Sequence, residues 1–206
     1  MNTLDHCFLY GIVDLGYVQS EAVPGVTQQL VRGGIDLLQL RAKGKPLDLV
    51  RRLTESMLRI TQSANVPLII NDHPQLLREV NAEGCHVGQD DCPVSKAREL
   101  AGRSIIVGKS THSIEQAVAA EAEGANYIGY GPIFSTPTKP DAPAIGLGDL
   151  KKLRTKVGIP VFCIGGIKET NFTQVTNAGG ERVCIVSDLL LAPDINARTR
   201  AIKAFL

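Results

Sequence analysis

Short apolar runs alternate with amphipathic stretches eight times along this 206-residue chain, and this alternation constrains the fold more than any other feature. Apolar runs of this length, bounded by turn residues, are typical of buried strands, and the stretches between them have the spacing of amphipathic helices. Strands that alternate with helices through short loops indicate parallel pairing. The predicted strands are 8–14, 36–42, 67–72, 85–88, 104–110, 126–131, 160–165 and 182–187.

Alternating strands and helices form either an open doubly wound sheet or a closed barrel. Eight units of nearly equal length favour closure. An open dinucleotide-binding fold would carry a G-x-G-x-x-G motif after its first strand, and this chain has no such motif there. We therefore predict a single-domain α/β fold over residues 1–206, a (β/α)8 TIM barrel close to the ~200-residue lower limit of that fold. In such barrels the chemistry lies in the loops at the carboxyl ends of the strands.

The composition argues against several classes of partner. The 22 Lys and Arg residues nearly balance the 21 Asp and Glu residues, so the net charge of +1 gives no basic field for nucleic acid or a membrane surface. No apolar run approaches the ~20 residues of a membrane-spanning helix, and the first residues lack the pattern of a signal peptide. The five cysteines include no C-x-x-C pair, and the spacing of Cys85, His86 and Cys92 fits no structural zinc site. These features predict a cytoplasmic protein with small-molecule ligands, and a homo-oligomer is compatible with them.

The end of the second strand carries a candidate anion site. Gln39, Arg41 and Lys43 alternate along the chain and therefore share one face, while Leu38 and Leu40 point towards the helices. A guanidinium suits bidentate recognition of phosphate, and an ammonium adds a point charge. In the alternative interpretation, Arg41 pairs with a neighbouring carboxylate and Lys43 lies in a solvated loop. The grouping of the two cations favours the anion site.

Two aspartates at neighbouring strand ends are candidate ligands of a metal ion. Asp72 ends the third strand, and Asp91 follows the fourth. Mg²⁺ is typically bound by one or two carboxylates, several waters and substrate phosphates. Alternatively, Asp72 caps a turn and Asp91 caps the following helix. Because the two carboxylates face the cations of the second strand, the pair indicates a metal–diphosphate site.

The remaining strand ends offer hydroxyls, glycines and one histidine. Ser110 is a candidate donor to a ligand, and His112 is either an acid–base group or a structural hydrogen-bond partner beside a helix start. The loop over 132–146 is a candidate lid, with a flexible surface loop as the alternative. Gly166 and Ser187 lie at the ends of the seventh and eighth strands, where barrels of this type bind phosphate through backbone N–H groups.

Beyond these patterns, long segments of the chain resemble the thiamine phosphate synthase family. The similar segments run nearly from end to end, and they are LYGIVD, LLQLRAK, PLIINDH, GCHVGQDD, STHSIEQAVAAEAEGANYIGYGPIFSTPTK, IPVFCIGGI and VCIVS. The resemblance implies a (β/α)8 barrel enzyme that joins hydroxymethylpyrimidine diphosphate to thiazole phosphate, giving thiamine phosphate and diphosphate. It also implies a dissociative mechanism, in which diphosphate leaves before the thiazole nitrogen attacks.

The resemblance assigns roles to individual positions. It implies that Asp72 and Asp91 hold Mg²⁺. The implied catalytic residues are Arg41, Lys43, Ser110 and Lys139. The residues implied for the pyrimidine diphosphate are Gln39, Leu40, Arg41, Ala42, Lys43, Asn71, Ser110 and Lys139. Those implied for the thiazole phosphate are Thr136, Pro137, Thr138, Gly166, Val186 and Ser187.

Four residues depart from the family pattern. Val13, Ala42 and His73 stand where the family commonly has Thr, Glu and Arg. Lys109 replaces an apolar residue and is expected to add a positive charge near the diphosphate side. These departures are expected to change substrate fit and rate more than the metal site.

Two other functions are alternatives to the synthase. A thiazole tautomerase, from a sister group with the same fold, would depend on a histidine such as His112. A catalytically silent barrel would bind phosphate without turnover. The chain keeps Asp72 and Lys139, and the resemblance therefore favours the synthase.

Overall fold

The computed structural model of the chain describes residues 4–136, 138 and 142–206, and its eight parallel strands close into one barrel in sequence order. Each strand pairs with the next, and β8 returns to β1. The strands are β1 (Leu9–Asp14), β2 (Leu37–Arg41), β3 (Leu68–Asn71), β4 (Gly84–Val87), β5 (Ile106–Thr111), β6 (Tyr127–Tyr130), β7 (Val161–Ile164) and β8 (Arg182–Ile185). All eight lie within two residues of their predicted bounds, so the predicted TIM barrel is confirmed.

The helices connect the strands on the outside of the barrel. They are α1 (Val23–Arg32), α2 (Leu47–Thr61), α3 (Val94–Ala101), α4 (Ile114–Ala122), α5 (Leu150–Arg154), α6 (Phe172–Asn177), α7 (Ser187–Leu190) and α8 (Ile195–Lys203). The connection from β3 to β4 contains a 3₁₀ helix (Pro74–Arg78) instead of an α-helix. Because residues 72–83 must also form both loops, only this short helix fits there.

Helix ends follow the local signals of the sequence. Gly102 and Gly124 adopt φ angles of 69° and 86° just beyond α3 and α4, a conformation that glycine adopts without strain. At the start of α4, the Ser113 hydroxyl accepts a hydrogen bond from the Gln116 backbone N–H. The Gln116 side chain accepts from the backbone N–H of His112, one residue before the position that a full capping box would use.

The core has two layers, and the inner layer closes the barrel. The outer layer lies between the strands and the helices, and the inner layer is built around Tyr10, Tyr127 and Phe162. Their rings meet edge to face, with centroids 5.2–5.8 Å apart. A Cβ atom at Gly108 would lie 2.1 Å from Cζ of Tyr127, so only glycine at this position admits the ring. The aromatic layer therefore fills the middle of the barrel interior.

None of the five cysteines forms a disulfide, and burial raises the pKa of the Cys163 thiol to about 12. Among the described residues, no helix has the length and apolar character needed to cross a membrane.

Candidate active site

A cavity lies at the carboxyl ends of the strands, above the aromatic layer, and all eight strands contribute to it. This is the end of the barrel at which the sequence predicts the chemistry. The strand residues that line it include Ile12 and Asp14 of β1, Gln39 and Arg41 of β2, Asn71 of β3, His86 of β4, Ser110 of β5, Gly129 of β6, Ile164 of β7 and Cys184 of β8.

Most of the predicted binding residues lie at this cavity. The predicted residues that line it are Gln39, Arg41, Asn71, Ser110, Thr136, Thr138, Gly166, Val186 and Ser187. Leu40 and Ala42 are buried in the outer core instead, because strand alternation turns them towards the helices. Lys43 lies in the exposed loop after β2. Pro137 and Lys139 lie outside the described residues.

Arg41 forms an ion pair with a neighbouring carboxylate, as the alternative interpretation of the sequence proposed. Its Nη1 donates to Oδ2 of Asp14 at 2.7 Å, and the Asp14 side chain is only 4% exposed. Asp14 is held in turn, since its Oδ1 accepts from the backbone N–H of Gly16 at 2.8 Å. Both residues line the cavity, so the ion pair and the predicted anion site coincide. This pair uses one N–H group of the guanidinium and leaves its other N–H groups for a ligand.

Asp72 and Asp91 form a close carboxylate pair at the rim. Burial, together with the charge and hydrogen bonding of Asp91, raises the pKa of the Asp72 carboxyl to about 6, while Lys43 and Arg41 act to lower it. Asp72 also has a φ angle of 64°, which aspartate tolerates better than most residues. Asp14 and Arg41 line the cavity, while Asp72, Asp91 and Lys43 lie near Arg41 just beyond its lining. We call these five residues the charged half of the rim.

The chemistry of this carboxylate pair fits Mg²⁺. A divalent cation bound to both carboxylates would remove their mutual repulsion. Within the described ranges, no group of three or more His, Cys, Asp and Glu side chains is arranged to hold a metal ion. Among the described residues, the pair of carboxylates alone is thus the candidate acidic ligand set, which suits the usual Mg²⁺ arrangement with waters and substrate phosphates.

Neither aspartate caps a helix. Oδ2 of Asp91 accepts from the backbone N–H of Gly88 at 2.6 Å and so closes the turn after β4. Helix α3 begins after Pro93 without a side-chain cap, and the 3₁₀ helix after His73 has none either. The helix-capping alternative is therefore wrong for Asp91, which instead has a local partner in the Gly88 N–H.

The opposite side of the rim is built from backbone. Gly165 and Gly166 have φ angles of 97° and 64° after β7. A Cβ atom at Gly166 would lie 2.6 Å from the carbonyl oxygen of Ser135, so the loops after β6 and β7 pack directly on each other. The side-chain amide of Asn171 donates to the Gly166 carbonyl at 3.0 Å and fixes the loop. We call Gly131, Gly165, Gly166, Val186 and Ser187 the glycine half of the rim.

A tyrosine from another loop holds the threonines after β6. The Tyr17 and Thr138 hydroxyls are hydrogen-bonded at 2.8 Å. The backbone N–H of Thr138 donates to Oγ1 of Thr136 at 3.3 Å. The loop after β1 thus supports the loop after β6 across the cavity mouth, and the role of 132–146 as a lid stays a prediction.

A run of hydrogen bonds crosses the cavity floor. The Gln39 amide nitrogen donates to the Tyr10 hydroxyl at 2.5 Å, and the Tyr10 and Tyr127 hydroxyls are 2.9 Å apart. The Tyr127 hydroxyl lies 3.1 Å from Nδ1 of His86, whose Nε2 lies 2.9 Å from Oγ of Ser110. We call these five residues the floor chain. Its two ends, Gln39 and Ser110, both line the cavity.

His112 lines the cavity but is held by the backbone. Its Nδ1 is hydrogen-bonded to the carbonyl oxygen of Gly131, so Nδ1 is the donor and carries a proton. This is the structural role that the sequence offered as one alternative, and only Nε2 is left for a ligand.

The departures from the family pattern lie mostly away from the cavity. Val13 and Ala42 are buried in the outer core. Lys109 is buried behind β5, with its ammonium 3.9 Å from Glu123, and it lines a cleft outside the barrel. The Lys109 side chain leaves the outer face of β5, because Ser110 faces the cavity and neighbouring strand residues point to opposite faces. Asp91 lines the same cleft, so the expected positive charge near the diphosphate side stays a prediction. His73 is close to the carboxylate pair; burial lowers its pKa, and Asp91 acts to raise it.

Sequence reasoning missed five residues of this site. Asp14 ends a predicted strand, and a carboxylate at that position was a usable signal. Tyr10 and Tyr127 lie in apolar runs, where a tyrosine usually belongs to the core. His86 drew attention only as part of a rejected zinc site, and no sequence pattern pointed to Tyr17.

Comparisons with known proteins agree on one family. The family model described as thiamine monophosphate synthase matches residues 9–189. A thiamine-phosphate synthase of Pelotomaculum thermopropionicum is 40% identical over 202 residues, covering 96% of this chain and 91% of the relative. A second, from Clostridium acetobutylicum, is 39% identical over 193 residues, with coverage of 93% and 91%. The solved structure of a thiamine phosphate pyrophosphorylase from Pyrococcus furiosus is similar with a TM-score of 0.86 at 30% identity, covering 98% of this chain and 95% of that one.

Proposed function

The chain belongs to the thiamine monophosphate synthase family and is an enzyme that forms thiamine phosphate, and we propose that it does so at the cavity described above. The proposed substrates are hydroxymethylpyrimidine diphosphate and thiazole phosphate. The observation that carries this assignment is the division of one rim into a charged half and a glycine half. Two phosphorylated substrates need two anion sites of this kind around one reaction centre. A cytoplasmic location stays a prediction from the composition.

The charged half is proposed to bind the diphosphate group. Arg41, oriented by Asp14, would donate to phosphate oxygens, and Lys43 would add a second positive charge. Asp72 and Asp91 would hold Mg²⁺, which when bound supplies positive charge to the diphosphate. Lys139 is proposed from the sequence to belong to the same set.

The glycine half is proposed to bind the phosphate of the thiazole. Gly165 and Gly166 line the cavity without side chains of their own, so their backbone faces the ligand. Ser187, just after β8, adds a hydroxyl to the same side. Backbone N–H groups at the ends of β7 and β8 are the usual phosphate donors in this fold. Thr136 and Thr138 lie on the same side of the cavity mouth and would contact the same substrate.

The proposed reaction exchanges one bond for another. The bond between the pyrimidine methylene carbon and the diphosphate oxygen breaks, and its electron pair leaves with the diphosphate. The thiazole nitrogen then donates its lone pair to that carbon. The fixed cations of the charged half stabilise the charge that develops on the leaving group, which is commonly the largest contribution to catalysis.

The cavity walls support a reaction of this kind. Ile12, Ile164 and Gly129 line its lower part and leave apolar surface for the two rings. Apolar walls keep water away from an electron-deficient carbon, which water would otherwise attack. No proton transfer to a strong base is required, and His112, held by the Gly131 carbonyl, has no proposed catalytic role.

An assay with both substrates tests the proposed function. The purified chain, incubated with both substrates and Mg²⁺, should release diphosphate and thiamine phosphate in equal amounts, and a chelator should stop the reaction. Turnover of thiazole phosphate alone, unaffected by chelator and abolished by His112→Ala, would identify a tautomerase instead. Tight binding without any product would identify a silent barrel.

A further inference from the structure

The floor chain has a direction, which follows from the number of protons that each member carries. An amide nitrogen only donates, so the Tyr10 hydroxyl accepts from Gln39 and must use its single proton elsewhere. That proton goes to the Tyr127 oxygen, and the Tyr127 proton in turn goes to Nδ1 of His86. Burial raises the pKa of both tyrosines well above the usual value, so both keep their protons.

The direction fixes the last two members as well. If Nδ1 of His86 accepts, the neutral imidazole carries its proton on Nε2 and donates it to Oγ of Ser110. The Ser110 hydroxyl proton is then left to point at a ligand in the cavity. At the other end, the Gln39 amide oxygen has no hydrogen-bond partner within the described part of the chain and is also left for a ligand.

Reversing the amide would reverse every bond. A Gln39 oxygen facing Tyr10 would accept the Tyr10 proton, and His86 would carry its proton on Nδ1. Ser110 would then donate to His86 and offer only lone pairs to the cavity. The hydrogen-bonding character of Ser110 is therefore coupled to the orientation of Gln39 through three side chains that stand between them.

We propose that His86, set by Tyr127 and Tyr10, is a positioning residue that makes the cavity floor accept a hydrogen bond at Gln39 and donate one at Ser110. This pattern recognises a pyrimidine with an amino group beside an unprotonated ring nitrogen, as thiamine carries it. It rejects the oxo counterpart, which offers a carbonyl oxygen beside a ring N–H. The inference rests on the proposed function, because it names the feature by which that site selects its pyrimidine.

Tyr127 gives the sharpest variant, since its hydroxyl joins the two halves of the floor chain but the residue does not line the cavity. Tyr127→Phe removes that link without removing a ligand contact. Tyr130→Phe is the matched control, because Tyr130 is on the same strand but is buried in the outer core. Tyr10→Phe interrupts the floor chain at another hydrogen bond, and it replaces Tyr127→Phe as the test variant if Tyr127→Phe does not fold.

Two measurements test the proposal. Calorimetry without thiazole phosphate gives the affinities for the amino and oxo forms of hydroxymethylpyrimidine diphosphate with Mg²⁺ present. One hydrogen bond of matched polarity corresponds to about a tenfold ratio, so the unaltered chain and Tyr130→Phe should prefer the amino form by at least about tenfold. Tyr127→Phe should lose most of that ratio. Nitrogen-15 NMR of labelled histidine, assigned with His86→Gln, should show a proton on Nε2 of His86 in the unliganded protein.

The outcomes separate this inference from the proposed function. A folded Tyr127→Phe or Tyr10→Phe that keeps the full preference overturns the inference, and so does a proton on Nδ1 of His86 in the unaltered chain. Equal binding of the two pyrimidines by the unaltered chain overturns it as well. Failure to form thiamine phosphate refutes the proposed function instead, while the NMR result still decides the direction of the floor chain.

Discussion

The charged half and the glycine half of the rim hold a ligand in different ways. The charged half presents side chains, and its strength depends on the ion pair between Arg41 and Asp14 and on the charges around Asp72. The glycine half presents backbone, and its shape depends on the space at Gly165 and Gly166. Ligand binding at the charged half should therefore change when a charged side chain is replaced, and binding at the glycine half should change when a side chain is added. Gly166→Ala and Asp14→Asn should therefore each weaken the binding of one substrate and spare that of the other.

Asp72→Asn should have the largest effect. It removes one of the two carboxylates proposed for Mg²⁺, and loss of one electrostatic group at a developing charge typically costs about a hundredfold or more in rate. Asparagine keeps the φ angle of 64° and relieves the repulsion from Asp91, so the melting temperature should stay the same or rise. Steady-state kinetics and a melting curve check both statements. A folded variant with unchanged activity and metal dependence would mean that Asp72 binds no metal.

Gly166→Ala should come next and should affect the other substrate. The added Cβ atom would lie 2.6 Å from the Ser135 oxygen at a positive φ angle, and we expect KM for thiazole phosphate to rise by more than about tenfold, the equivalent of 1.4 kcal/mol. Gly124→Ala is the control: its φ angle is also positive, but no atom lies within 4 Å of the added Cβ. Gly124→Ala should lose about 1–2 kcal/mol of stability from its φ angle alone, and Gly166→Ala should lose more because of the close contact, but only Gly166→Ala should raise KM. Equal KM values for the two variants would show that the glycine half does not bind the thiazole phosphate.

Asp14→Asn should have a smaller effect, confined to the charged half. It removes the charge that orients Arg41 and retains an oxygen for the Gly16 N–H. Because a hydrogen bond to a charged group contributes about 1.5–3 kcal/mol, KM for the pyrimidine diphosphate should rise by about tenfold. KM for thiazole phosphate should not change. An effect on both substrates would show that Asp14 supports the whole cavity and not only Arg41.

Lys109→Met should have the smallest effect. Lys109 lies behind β5, and its 3.9 Å ion pair with the exposed Glu123 contributes about 0–1 kcal/mol at most. The KM values of both substrates should stay within about threefold of the unaltered chain, a change below 1 kcal/mol. A larger rise in KM for the pyrimidine diphosphate would show that the Lys109 charge acts on the diphosphate site after all.

Strand alternation made much of the site predictable from sequence. It places Gln39 and Arg41 towards the interior and turns Leu40 outwards, as the structure has them. It also places Lys109 on the outside once Ser110 is known to face inwards, although charge alone suggests the opposite. The glycine half was predictable because the ends of β7 and β8 bind phosphate in many barrels.

The floor chain could not be predicted in the same way. Tyr10 and Tyr127 lie far apart in sequence, and each resembles an ordinary core tyrosine within an apolar run. Their hydroxyls meet only because the barrel closes and brings β1 and β6 to the same interior level. His86 joins them for the same reason. Contacts across a closed barrel depend on the register of every strand, and a single sequence does not specify it to one residue.

Calorimetry with and without Mg²⁺ tests the division of the rim most directly. Inorganic diphosphate and thiazole phosphate are titrated separately into the unaltered chain, so that each half is measured without turnover. We expect Mg²⁺ to strengthen the binding of diphosphate by at least about tenfold, or 1.4 kcal/mol, and to leave the binding of thiazole phosphate unchanged. The same response to Mg²⁺ from both ligands, or no response from diphosphate, would contradict the division of the rim.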